Sequence, residues 1–213
     1  MIADRGNTVG KIGRASVAHS IRIGSKSVAT YPRGVVGYRA RPRHASGNGP
    51  QGGDKNMALK AARICNLFLA GTLTGNEFGG FVGVHPALYR LPTEAHAKAE
   101  QEITARFGKI MPPFMIAAIL AFVPALALTQ DRRAFRFTLA GMLCYVAMLA
   151  VTFAGNMPAN RRTLDLDPKT VPRGEFLALR RRWDAFHAAR NLLNAAGFVL
   201  AILGALSDAG QGA

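Results

Sequence analysis

Uninterrupted apolar runs long enough to cross a bilayer are the feature that most constrains this chain. A hydrocarbon core of about 30 Å requires roughly 20 apolar residues in a helix. Four segments meet or approach that length, at about residues 59–84, 111–129, 135–157 and 186–206. The second and third runs are apolar around their whole circumference, and not along one stripe as in a soluble protein. The sequence therefore predicts an all-α, four-helix transmembrane bundle.

Residues 1–56 differ in composition from the rest and predict a disordered basic extension. They carry ten Lys and Arg against two Asp, are rich in Gly and Ser, and show neither helical nor strand periodicity. Such a segment buries too little apolar surface to offset the entropy lost on ordering. Three interpretations remain open: a basic tail, a targeting segment, or sequence upstream of a true start at Met57. We predict a membrane domain at residues 57–213.

The net charge of +15 lies in this extension and in the segments that flank the apolar runs. In a soluble protein such a charge would suggest nucleic acid, but an anionic membrane surface explains this distribution. We therefore predict membrane lipids as partners, no nucleic acid, and a location in the plasma membrane. The oligomeric state is left open.

Two of the three connections between the runs are predicted to be long. The connection at residues 86–110 should contain a short surface helix at 94–102, capped by Thr93. Pro158 and Asn160 should end the third helix. Because the long connections carry most of the Lys and Arg, they should lie in the cytoplasm; a genuine basic extension would favour the opposite orientation.

Cysteine spacing and short motifs exclude several classes of site. Cys65 and Cys144 stand alone, and no Cys/His cluster supplies the ligands of zinc or an iron–sulfur centre. No phosphate-binding Gly loop, Gly-x-Ser-x-Gly or His-Glu-x-x-His sequence occurs. We expect no metal and no cofactor.

Polar side chains within the first run are candidate functional residues. An ionisable group at the bilayer centre costs at least about 2.5–3.5 kcal/mol, so it usually faces the bundle interior with a partner. Asn76 and Glu77 lie in the Gly-rich segment 75–83, where glycine is expected to allow close packing of helices. His85 follows at the end of the run.

The fourth run begins with a polar stripe. Trp183, His187, Arg190, Asn191 and Asn194 follow one another at helical spacing and share one face. Anchoring at the membrane interface is an alternative explanation for Trp183 and Arg190. It does not explain the two asparagines deeper in the helix.

Helix direction suggests that these groups meet. The end of the first helix, the end of the third and the start of the fourth should lie at one membrane face. Residues predicted to converge at this mouth are His85, Asn160, Trp183, His187 and Arg190. Glu77 lies about two turns below His85, and we expect it to pair with Arg190 or His187.

Three short elements carry a family resemblance. They are His85-Pro86-Ala87-Leu88, Met157-Pro158-Ala159-Asn160, and Arg182-Trp183 followed by His187 and Arg190. From Met57 onward the chain resembles the anthrone oxygenase-like family of small four-helix membrane proteins. Fungal members with a named activity oxidise an anthrone to an anthraquinone with O2, without metal or flavin. Residues 1–56 lie outside the resemblance.

The resemblance implies a cofactor-independent oxygenase for a small lipophilic aromatic. His187 or His85 would be the base, and Arg190 or Asn160 would stabilise the developing oxyanion. Trp183 would stack on the ring. The remaining candidates for substrate binding are Asn194, Glu77 and Asn76.

Two other functions remain open. The chain is alternatively a non-catalytic membrane protein that binds a lipid, a quinone or a partner helix, or a small transporter or channel subunit. An enzyme requires His187 or His85 to face an enclosed pocket. A transporter requires polar groups through the full depth of the bundle, and the second run offers none.

Overall fold

The computed structural model describes residues 50–209, and this part of the chain contains helices and no strand. The helices are α1 (Pro50–Gly79), α2 (His85–Leu88), α3 (Thr93–Leu120), α4 (Phe122–Leu128), α5 (Arg132–Val151), α6 (Met157–Asp165) and α7 (Arg173–Ala209). Two π-helical turns, Gly80–Val84 and Thr152–Asn156, join α1 to α2 and α5 to α6, and helical Ala121 joins α3 to α4. The described residues thus form four long helices, numbered first to fourth in chain order. The all-α prediction is confirmed.

The predicted basic extension lies mostly outside the described residues. The first long helix begins at Pro50, so the predicted disorder is wrong for residues 50–56, and Met57 lies inside the helix. The three interpretations of the extension and the boundary at residue 57 stay predictions.

Proline explains why two predicted helix ends are wrong. Pro86 and Pro158 lack the N–H that an α-helix interior requires, and their rings clash with the preceding turn. A π-turn directly precedes each of the short helices in which these prolines stand. The wider turn accommodates the missing hydrogen bond, so the helix continues through the proline.

The connections are consequently much shorter than predicted. The first and second long helices are joined by residues 89–92, and the third and fourth by residues 166–172. The predicted surface helix at 94–102 is the first part of α3. Pro92 precedes α3 and no side chain caps it, so the predicted cap by Thr93 is wrong.

Three of the four long helices are long and apolar enough to cross a membrane, judged by length and composition. They comprise Thr93–Leu128, Arg132–Asp165 and Arg173–Ser207. The first long helix falls short because Asn66, Asn76 and Glu77, together with several glycines, lower its mean hydropathy. The prediction of four spans is therefore confirmed for three.

Each of these three helices is also longer than a bilayer core. The shortest has 34 residues, which corresponds to about 50 Å, against a core of about 30 Å. In the second long helix the charged residues Lys98, Arg106 and Lys109 precede the apolar part. The end that carries them therefore extends beyond the hydrocarbon core of any membrane that the helix crosses.

A short turn and an apolar core hold the opposite end of the bundle. Residues 129–131 connect the second and third long helices, which are antiparallel neighbours as predicted, and Asp131 accepts a hydrogen bond from Ala134 N at 2.7 Å. Tyr145 is fully buried in the core and donates to Ala70 O at 2.9 Å. The buried core consists of Ala70, Leu73, Met115, Ala118, Phe122, Tyr145, Met148 and Ala201.

Glycine allows close helix packing at some positions of the bundle but not at those predicted from the sequence. An added Cβ at Gly155 would clash with the ring of Phe186, and one at Gly197 would lie 2.8 Å from the ring of Tyr145. At Gly75, Gly79 and Gly83 an added Cβ would meet nothing within 4 Å. The predicted role of the segment 75–83 in close packing is therefore wrong at these three positions.

We expect Gly155→Ala to lower the free energy of unfolding by about 1–3 kcal/mol, because the new methyl group overpacks the contact with Phe186. Gly75→Ala is the matched control. Its methyl group meets open space, and the higher helix propensity of alanine should stabilise the protein by up to about 1 kcal/mol. Thermal unfolding in detergent measures both variants, and equal shifts for the two would contradict this explanation.

Candidate functional site

Four large side chains follow one another along a single face of the fourth long helix. Arg180, Trp183, His187 and Arg190 are spaced by three or four residues, which places them one above another. All four are buried, and Arg180 is 0 % exposed. Two buried arginines on one helix require buried acids as partners, because an unpaired charge in a low-dielectric interior is strongly unfavourable.

The first of these acids is Glu77, in the first long helix. Arg190 Nη2 donates to Glu77 Oε2 at 2.5 Å, and His187 Nδ1 lies 3.3 Å from the same oxygen. Arg190 Nη1 also donates to Thr152 Oγ1 at 3.3 Å, in the π-turn of the third long helix. The predicted pairing of Glu77 is thus confirmed for both Arg190 and His187. We call Glu77, His187 and Arg190 the inner cluster.

The second acid is Glu100, in the second long helix. Its Oε1 atom lies 3.0 Å from Arg180 Nη2, 3.2 Å from His85 Nδ1 and 3.4 Å from His96 Nε2. We call Glu100, His85, His96 and Arg180 the outer cluster. Each cluster therefore combines one carboxylate, one guanidinium and at least one imidazole. One long helix, the fourth, supplies both arginines.

The outer cluster reaches the end of the bundle through the connection at residues 89–92. Tyr89 donates a short hydrogen bond to Asp184, whose carboxylate lies 3.9 Å from Arg180. Burial, and then the hydrogen bond to Asp184, raise the pKa of the Tyr89 hydroxyl well above its ordinary value. Tyr89 is therefore protonated at neutral pH and acts as a hydrogen-bond donor there.

Trp183 connects the two clusters. Its ring centroid lies 4.5 Å from those of both His85 and His187, and the two imidazoles are 5.3 Å apart. Two asparagines of the third long helix hold the tryptophan: its Nε1 donates to Asn160 Oδ1 at 2.7 Å, and Asn156 Nδ2 donates to its carbonyl at 3.1 Å. Trp183 is therefore held through both its side chain and its backbone.

The Nδ1 atom of each imidazole faces both a carboxylate and a guanidinium: His187 Nδ1 lies 3.3 Å from Glu77 and from Arg190, and His85 Nδ1 lies 3.2 Å from Glu100 and 3.4 Å from Arg180. Because each guanidinium already donates to the carboxylate, we place the proton of each neutral imidazole on Nδ1, where the carboxylate accepts it. Nε2 then carries the lone pair, and Asn191 Nδ2, which lies 3.3 Å from His187 Nε2, donates to the backbone carbonyl of His187 at 3.0 Å. A Cβ at Gly80 would lie 3.7 Å from His187 Nε2 and 3.8 Å from His85 Nε2. Both basic nitrogens therefore face the same space beside Gly80.

That space belongs to a cavity of about 560 Å³. One part of its wall is polar and contains Glu77, His85, Glu100, Asn160, His187 and Arg190, with Trp183 beside them. The remaining wall is mostly apolar and includes Ile103, Phe107, Met111, Met115, Leu149 and Phe153. Such a cavity fits an amphiphilic molecule with one polar edge and an apolar body.

Most of the residues predicted for the site line this cavity. Asn76 is exposed at its edge, where Nδ2 lies 3.5 Å from Met111 Sδ. Asn194 is fully buried below the cavity and is not part of its wall, so its predicted contact with a substrate is absent from this structure. The predicted convergence is confirmed for His85, Asn160, Trp183, His187 and Arg190, since all five line one cavity, whereas their place at one membrane face stays a prediction.

Sequence reasoning identified His85 but missed the other three members of the outer cluster. Glu100 and His96 were assigned to a solvated surface helix, and Arg180 to a cytoplasmic connection. A signal was present in the spacing: Arg180 lies three residues before Trp183 and extends the polar stripe by one turn, while His96 and Glu100 share a helix face. Among residues 50–209, no group of three or more His, Cys, Asp or Glu is arranged to hold a metal ion.

Comparison with known proteins identifies a family for this part of the chain. Residues 102–200 match the family model described as anthrone oxygenase. No curated protein and no solved structure gives a significant match. The matched segment contains Asn160, Arg180, Trp183, His187 and Arg190, and thus the whole polar stripe of the fourth long helix. Residues 102–200 are thus similar to the anthrone oxygenase family, the family whose resemblance the sequence predicted.

Proposed function

We propose that this protein is a multi-pass protein of the plasma membrane that oxidises a lipophilic aromatic with O2 and requires no cofactor. The observation that carries the proposal is the cavity beside Gly80, which two carboxylate-bound histidines face with their basic Nε2 atoms. Three apolar long helices support the membrane location. The first long helix would be the fourth span, with Glu77 neutralised by Arg190.

Proton abstraction is the first step that this arrangement favours. His187 Nε2 would remove a proton from an acidic C–H or O–H group of the bound aromatic, and Glu77 would stabilise the resulting imidazolium through Nδ1. The carboxylate holds the imidazole in one tautomer and orientation, as in other carboxylate–histidine pairs. His85 and Glu100 offer a second pair of the same construction.

The negative charge left on the substrate requires donors. Arg190 lines the cavity, and its buried Nε has no acceptor among the described residues. Asn160 accepts from Trp183 through Oδ1, which leaves its Nδ2 to donate to a ligand. Both groups would stabilise an enolate or phenolate oxygen, the role that fixed donors play at other oxyanion sites. Trp183 supplies an aromatic surface for a planar substrate.

The electron-rich anion would then react with O2 directly. Electrons pass from the substrate to O2, a C–O bond forms, and the peroxide oxygen is protonated by the imidazolium. Loss of the second proton from the same carbon breaks the O–O bond and releases water. For an anthrone the sum is one CH2 group and one O2 giving one carbonyl and one water. Every electron comes from the substrate.

A non-catalytic role in binding a lipid, a quinone or a partner helix is the second candidate. One observation favours it: Glu77 already pairs with Arg190, and Glu100 with Arg180, so neither carboxylate needs a ligand to balance its charge. The same cavity would then hold its ligand without reacting with it. The two functions differ in whether bound ligand is consumed.

Oxygen uptake by the protein in lipid nanodiscs tests the proposed oxidation. We expect a hydroxylated anthrone to consume one O2 per quinone formed, with one atom of labelled O2 in the product carbonyl. An anthrone with two methyl groups on the acidic carbon is the matched control, since it should bind without turnover. Binding of both compounds with oxidation of neither, above the rate without protein, would favour the non-catalytic role.

A further inference from the structure

Two sets of glycines in this bundle have different surroundings, and helix packing explains only one set. At Gly71, Gly141, Gly155, Gly197 and Gly204 an added Cβ would meet another helix at 3.0 Å or less. At Gly75, Gly79 and Gly108 it would meet nothing within 4 Å, although all three residues line the cavity. Glycine destabilises a helix by about 1 kcal/mol relative to alanine. Close packing does not offset that loss at these three positions.

The three glycines lie on both sides of the boundary between the first and second long helices. These helices run antiparallel, since Asn76 contacts Met111 and His85 contacts Glu100. Gly79 and Gly108 lie between these two contacts and therefore face each other across the boundary. Gly75 is one turn from Gly79 on the same face. We call the gap bounded by Gly75, Gly79, Phe107 and Gly108 the lateral window.

The cavity reaches the protein surface at this window. Each of its four bounding residues lines the cavity and is also exposed. The boundary between the second and third long helices is bridged by Gln101, whose Nε2 donates to the carbonyls of Thr163 and Leu166.

The surface around the window carries both apolar and basic side chains. Phe78 and Ile110 are about 60 % exposed beside it, and Phe81 is also exposed on the first long helix. Arg106 and Lys109 mark the end at which the second long helix becomes charged. This pattern suits the boundary between acyl chains and headgroups, where apolar side chains face lipid and basic ones reach the phosphates.

We propose that the ligand enters the cavity sideways from the bilayer through the lateral window. The ligand class is therefore a flat molecule dissolved in the hydrocarbon, which slides between two glycine-lined helices with its polar edge toward His85 and His187. This inference rests on the proposed membrane location and not on the proposed oxidation. The glycines keep open a passage that any larger side chain would narrow.

Quenching of Trp183 fluorescence tests the window without any turnover. Trp183 is the single tryptophan of the chain and lines the cavity. In nanodiscs, a nitroxide-labelled alkane dissolved in the bilayer should quench it, and aqueous iodide should quench it little. The variant that carries both Gly79→Leu and Gly108→Leu should lose most of the quenching by the alkane. Gly83→Leu is the matched control, since Gly83 also faces open space but does not line the cavity.

Three results would overturn the inference. Equal quenching of the wild type and the double variant by the alkane would show that lipid reaches Trp183 by another route. Quenching by iodide in place of the alkane would show that the cavity opens to water. Release of the protein from membranes by alkaline carbonate would contradict the membrane location itself. A failed oxygen-uptake assay with intact, window-dependent quenching would count against the oxidation alone.

Discussion

Replacing His187 with alanine is expected to lower kcat for oxygen uptake by about 10²–10⁴-fold, the usual contribution of a positioned general base. The reason is geometric. His187 is held by Glu77 on its Nδ1 side and presents Nε2 to the cavity beside Gly80. Steady-state oxygen uptake in nanodiscs measures the loss. The variant should still bind the dimethylated anthrone, because the apolar wall of the cavity is unchanged.

Chemical rescue separates a missing base from a damaged fold. His187→Ala leaves a space of imidazole size next to the cavity, so added imidazole should restore part of the rate. His85→Ala provides the comparison, since His85 is bound to a carboxylate in the same way but belongs to the outer cluster. If His85→Ala lost more activity than His187→Ala, and imidazole rescued only that variant, the base would be His85. Full activity in both variants would exclude an imidazole base.

The largest effect on stability is expected from separating Glu77 and Arg190. Arg190→Met leaves a buried carboxylate without its guanidinium, which should lower the free energy of unfolding by about 3–5 kcal/mol. Adding Glu77→Gln to this variant should restore part of the lost stability, because the double variant no longer buries an unpaired carboxylate. Chemical unfolding of the single and double variants in detergent gives the interaction energy.

An exposed ion pair in the same protein serves as the control. Lys98 Nζ lies 2.6 Å from Glu94 Oε1, nearly the distance of the Arg190–Glu77 pair, but about half of each side chain is exposed. Lys98→Met should therefore cost no more than about 1 kcal/mol. Similar losses for Lys98→Met and Arg190→Met would contradict the view that burial determines the effect.

The apolar runs were sufficient to predict the helical class and the approximate positions of the helices, because hydropathy reports directly on long buried segments. Helix ends were less predictable. Pro86 and Pro158 are ordinary stop signals, and nothing in the local sequence distinguishes a stop from a π-turn that lets the helix continue. Charged residues at the start of α3 indicated a surface segment, whereas they belong to a helix that extends beyond the apolar part.

The site was predictable where its residues stand in apolar sequence. Glu77 and His187 are conspicuous there. The helical spacing of Trp183, His187 and Arg190 placed these three residues on one face. Glu100 and Arg180 were missed because each has other charged residues beside it in the sequence. Nothing in such a segment indicates which of the charged side chains is buried. The open space at Gly75 and Gly79 could not be predicted either, because a glycine in a helix is compatible both with close packing and with a gap.

The two π-turns fix the direction in which the helix beyond them points. A π-turn inserts one residue into an α-helix, and one residue corresponds to a rotation of about 100° around the axis. His85 and Asn160 both follow such an insertion. Removing a single residue from either turn would preserve a continuous helix while rotating everything after it away from Trp183. The number of residues between the core and the site is therefore fixed in both the first and the third long helix.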